Sequence, residues 1–155
     1  MVGYHLFLLH AAHSEATASE LIDWFGSYHL LFLHFPIACA ILAGLAEGLY
    51  IWTKKEGYAF TAQFLLIATA IFSIPTVAAG LALAQKETLV LWNTLWWHRA
   101  FGFFALIFSF LSAVLRFFPK RRALYLISLV LLIISVAIAA DLGGDMAFPN
   151  FRWLP

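Results

Sequence analysis

His29-Leu-Leu-Phe-Leu-His34-Phe-Pro36 opens an apolar run, LLFLHFPIACAILAGLAEGLYIW over residues 30–52, whose reading decides the fold. At 1.5 Å of rise per residue, a helix over this run is long enough for a hydrocarbon core about 30 Å thick. Glu47 is the one acid inside it, and it lies near the far end. The two imidazoles at the mouth are the anomaly. An unpaired buried polar group costs about 1–3 kcal/mol, so a histidine placed in lipid must hydrogen-bond or ligate something.

The same texture continues along the chain. Of 155 residues, 64% are hydrophobic and 11% charged, and mean hydropathy is +0.92, far from the balance of a soluble domain. The expected fold class is therefore an all-α integral membrane protein, a four-transmembrane-helix bundle with a short N-terminal interfacial helix. Its spans are expected near residues 30–52, 59–84, 97–118 and 123–140. Lys54-Lys55-Glu56-Gly57 separates the first two, and Pro119-Lys120-Arg121-Arg122 the last two. Pro75 predicts a kink in the second span, because it removes a backbone donor and frees the carbonyl near Ile71. Trp92, Trp96 and Trp97 mark headgroup level before the third.

Residues 1–28 read as an interfacial segment, 29–142 as the membrane domain and 143–155 as an extracytoplasmic tail. Leu21, Trp24 and Phe25 share one helical face behind a Thr17 or Ser19 N-cap, the pattern of a helix lying in the interface. The apolar stretch Tyr4–Leu9 has no preceding Lys or Arg and is interrupted by His5, so it reads as retained rather than as a cleaved leader. His5, His10 and His13 do not fall on one helical face and read as interfacial histidines. No internal repeat or low-complexity tract stands out.

Charge gives the orientation. Lys54, Lys55, Arg116, Lys120, Arg121 and Arg122 gather on one side, against Lys86, Arg99 and Arg152 on the other. The first side is expected to be cytoplasmic, with both termini outside a bacterial inner membrane. The net charge of +1 implies no nucleic-acid partner, and the lone Cys39 excludes an internal disulfide and a thioether-linked haem. No Ser-His-Asp signature, phosphate loop or recognised zinc spacing points to an enzyme acting alone.

This topology makes the first and third spans parallel and places His34 and His98 at nearly matching depth. Two histidines on two helices is the arrangement that axial ligation of a b-type haem requires. Gly102, four residues beyond His98, and the small Ala38 and Gly44 beyond His34 would let a flat macrocycle approach the backbones. Arg99 is placed to pair with a propionate. His29 lies about 140° around the helix from His34 and reads as a rim residue, or as a ligand only if the helix begins after it. Asp141 and Asp145 make a weaker His/Asp constellation for a divalent metal. The alternative for Gly143 is a left-handed helix cap, with both carboxylates facing water. The plain alternative for His34 and His98 is hydrogen bonding to headgroup water or to proline-freed carbonyls. Glu47 is expected to reach Lys54 or to pair with Arg116.

The motifs His29-x4-His34-Phe35-Pro36-Ile37, His98-Arg99-x2-Gly102 and Leu142-Gly143-Gly144 resemble, in order, a bacterial four-helix family known only as a predicted membrane domain of unknown function. The resemblance covers roughly Tyr28 to Phe148. Some relatives are joined to, or encoded near, c-type cytochrome domains, which implies an electron-transfer setting. Asp141 stands where that pattern often has histidine, so no third histidine is available there. The leading expectation is a subunit holding one haem b near the outer face and exchanging electrons with quinol or a partner cytochrome. A cofactor-free anchor of a larger membrane complex, and a small metal- or ion-handling protein, are the alternatives.

Overall fold

The computed structural model describes residues 19–86 and 92–148. Its elements are α1 (19–27), α2 (His29–Phe32), α3 (His34–Thr53), α4 (Glu56–Leu83), α5 (Trp92–Leu115) and α6 (Arg122–Ala147). No strand occurs among the described residues. Four helical runs are long and apolar enough to cross a membrane: Ser19–Thr53, Glu56–Leu83, Asn93–Leu115 and Pro119–Ala147.

Local chemistry sets the boundaries. Pro36 has no N–H to offer the Phe32 carbonyl, so the helix is interrupted at Leu33 and Pro36 falls in the first turn of α3, where a proline costs little. Leu33 itself keeps helical dihedrals, φ −62° and ψ −26°, so register carries through the break. Lys54 closes α3 in the left-handed conformation, φ 57°, with its N–H donating to the Tyr50 carbonyl at 2.9 Å. That permits a two-residue turn into α4. The last two helices depart from the expected spans. Helix α5 begins at Trp92, and α6 continues through Gly143 and Gly144 to Ala147. Gly143 therefore lies inside the helix rather than capping it, and no described glycine has positive φ.

Helices α3 and α4 form one close hairpin and α5 and α6 another. The core is built on small residues where backbones approach: Ala40, Ala43 and Ala62 are fully buried, and so are Ser109 and Ser112. Most large apolar side chains, such as Trp52 and Phe60, point outward, as they do when lipid is the solvent.

The two hairpins repeat one another, which the sequence had hidden. Sixty-nine residues on from the first span gives its counterpart in the third, and sixty-three on from the second gives its counterpart in the fourth. Buried positions coincide under these shifts: Ala40 with Ser109, Ala43 with Ser112, Leu66 with Leu129, Thr69 with Leu132 and Ser73 with Val136. His29 corresponds to His98, and Glu47 to Arg116. An approximate twofold relation along the bundle axis thus brings like positions face to face at both ends.

Candidate paired-histidine site

The site is assembled from one histidine per hairpin. His29, on the short helix α2, sends its Nδ1–H to the Thr76 carbonyl of α4 at 2.9 Å. His98, in the second turn of α5, sends its Nδ1–H to the Ala139 carbonyl of α6, also at 2.9 Å. A carbonyl can only accept, so each Nδ1 donates its proton there, and in the neutral ring that leaves Nε2 as the nitrogen with a lone pair. The ring centres lie 6.1 Å apart with planes at 87°.

Both acceptor carbonyls stand one turn before a glycine, Gly80 after Thr76 and Gly143 after Ala139. A helical side chain leans toward the N-terminus and covers the preceding turn, so glycine there leaves the carbonyl open to an incoming ring. A Cβ on Gly80 would stand 2.8 Å from His29 Cε1, and one on Gly143 would stand 3.0 Å from His98 Cε1. Each imidazole is therefore seated on its own hairpin by the same device.

The expected pairing of His34 with His98 is corrected. His34 is exposed on the outer surface of α3, and His29 takes the inward position. Histidines five residues apart are too far around the helix for both to face the bundle. The choice follows from Glu47, which is buried and lies eighteen residues, or five full turns, beyond His29 on the same face. His98 and Arg116 are separated by the same interval. That spacing was readable in the sequence, and it pointed to His29.

Other expected contributors fall less centrally. A Cβ on Gly102 would meet nothing within 4 Å, so the glycine that matters to His98 is Gly143 on the facing helix. Asp141 and Asp145 are exposed, and no group of three or more His, Cys, Asp or Glu side chains gathers among the described residues. The expected His/Asp metal constellation is accordingly not assembled there. Arg99 is partly buried beside the pair and donates from Nη2 to the Ala84 carbonyl at 3.3 Å, while its buried Nε has no partner among the described residues. His5, His10, His13 and Arg152 lie outside the described residues.

At the opposite end, about 27 Å along the helix, Glu47 is 1% exposed and bridges the hairpins. Arg116 and Arg122 approach its two carboxylate oxygens at 3.2 Å each, and the Tyr125 hydroxyl donates to it at 3.0 Å. Arg116 also lies over the Tyr50 and Tyr125 rings, 5.3 and 5.0 Å from their centres. The expected Arg116 partnership holds, and Arg122 and Tyr125 complete it.

Fold and site together define a four-span helical membrane protein built from two repeated hairpins, with a histidine pair near one end. The chain belongs to the family described as predicted membrane protein DUF2231, whose profile matches residues 27–150. No curated protein and no solved structure matches it.

Proposed function

We propose that this membrane protein holds one b-type haem between its hairpins, with His29 and His98 as the axial pair, and serves as an electron-transfer subunit. The observation that carries the reading is the matched state of the two imidazoles: both are fixed through Nδ1, neither has a partner at Nε2 among the described residues, and they approach each other across the repeat axis. A hydrogen bond on the remote nitrogen is what orients metal-bound histidine and raises its basicity.

The donor set fits the group. The two ring centres lie 6.1 Å apart, near enough for both imidazoles to serve one metal ion between them. Two protein ligands without a third among the described residues would suit a metal that brings nitrogen ligands of its own, as a tetrapyrrole does. The unpartnered Arg99 Nε is a donor suited to a propionate. When bound, such a group supplies a one-electron couple. The chain's residues orient the ligands, exclude water with apolar helices and offset carboxylate charge.

The positive-inside count supports a histidine end at the outer face of a bacterial inner membrane, with both termini extracytoplasmic and the Glu47 cluster toward the cytoplasm. A haem at one end does not span a core of about 30 Å, so electrons pass to and from partners, a quinol or a cytochrome subunit. The test is the absorption spectrum of protein purified after haem-sufficient expression, oxidised and dithionite-reduced. A Soret band lost in His29→Ala and in His98→Ala, and kept in His34→Ala, is expected. Wild-type protein without a Soret band would overturn the reading.

A further inference from the structure

We infer that the lipid-facing surface around His34, Phe35 and Phe72 is a binding site for the ring of a membrane quinone or quinol. This deepens the electron-transfer reading and rests on it for its purpose, although the binding claim stands on separate observations.

His34 is exposed and makes no hydrogen bond to another described residue. Its depth makes that unusual. Tyr28, Trp96 and Trp97 mark the aromatic belt at the histidine end, and His34 lies six residues beyond Tyr28, about 9 Å further into the bilayer. An imidazole there faces hydrocarbon and has both a donor and an acceptor to satisfy. Beside it, Phe35 and Phe72 stack at 5.0 Å with planes 21° apart, and they are 46% and 38% exposed. Ala38, one turn below His34, is exposed as well.

The ligand must therefore arrive through the lipid, carry a flat ring for the aromatic faces, and offer oxygen to an imidazole. A quinone or quinol meets all three requirements. Proximity favours it over a covering helix from another subunit. Phe72 lies one turn before Thr76, whose carbonyl holds His29, and His34 is about 7.5 Å along the helix from His29. The patch is thus continuous with the paired-histidine site, from its lipid side.

The experiment uses the full chain in nanodiscs free of quinone, photolabelled with an azido-ubiquinone and mapped by mass spectrometry. Labelling is expected within α3 and α4 near His34 and Phe72, displaced by excess decylubiquinone. Loss of one net hydrogen bond in His34→Ala should weaken it about two- to tenfold, and Phe72→Leu should weaken it as well. Labelling that is absent, spread evenly over lipid-facing helices, or indifferent to both substitutions overturns the site. So does a purified complex in which another subunit covers His34. Failure of the haem reading is distinguishable: His29→Ala should abolish the Soret band and preserve labelling, whereas His34→Ala should keep the Soret band and weaken labelling.

Discussion

Replacing Glu47 by glutamine tests the joint between the hairpins. The carboxylate side chain is 2% exposed, and its partner Arg116 is 12% exposed. Removing one member of a buried pair leaves the other charged and desolvated, at a cost of about 3–5 kcal/mol. Glutamine keeps the shape and an acceptor for Tyr125, which places Glu47→Gln toward the lower end, about 3 kcal/mol. Arg122 is 42% exposed, so water screens its share, and Arg122→Gln should cost under about 1 kcal/mol. Unfolding by SDS in mixed micelles, followed by helical circular dichroism, reads both values. The double variant Glu47→Gln/Arg116→Gln removes both charges and should lose less than the sum of its single variants. Equal losses for Glu47→Gln and Arg122→Gln, or strict additivity in the double variant, would refute the assignment of a buried inter-hairpin pair.

Two further outcomes follow from the geometry. In Gly80→Ala the new Cβ, 2.8 Å from His29 Cε1, must push the ring toward ordinary contact at about 3.5 Å or more, stretching its bond to Thr76 beyond useful range. Soret absorbance per protein should fall further in Gly80→Ala than in Gly143→Ala, where the corresponding approach is 3.0 Å; wild-type absorbance in both would count against the cradles. In a Cys39→Ala background, a membrane-impermeant maleimide applied to spheroplasts should label Asp145→Cys and spare Lys55→Cys, the opposite pattern reversing the orientation.

The four-span architecture was legible because lipid demands it. Apolar runs of spanning length, a two-lysine turn and a Pro-Lys-Arg-Arg turn need no tertiary information. Helix ends were less legible. Gly143-Gly144 has the composition of a terminator, yet α6 runs through it, since Gly143 is kept bare where the His98 ring rests. The repeat stayed hidden because its matched positions share burial rather than identity: Ala43 answers Ser112, and Thr69 answers Leu132. The histidine choice failed for a related reason. Depth alone favoured His34, whereas helical phase measured from the buried Glu47 selects His29 and, on the other hairpin, His98 from Arg116.

That correspondence of Glu47 with Arg116 has an evolutionary consequence. Two identical hairpins meeting about a twofold axis present the same side chain to itself, so an acid at this position would oppose an acid and a base would oppose a base. Opposite charge at equivalent positions requires halves that mutate independently. Joining them in one polypeptide supplies that freedom, and it lets the second half acquire Arg99 where the first has Leu30. A duplicated and fused ancestor could thus keep a symmetric pair of imidazoles, each on its own glycine and carbonyl, while the charges around them diverged.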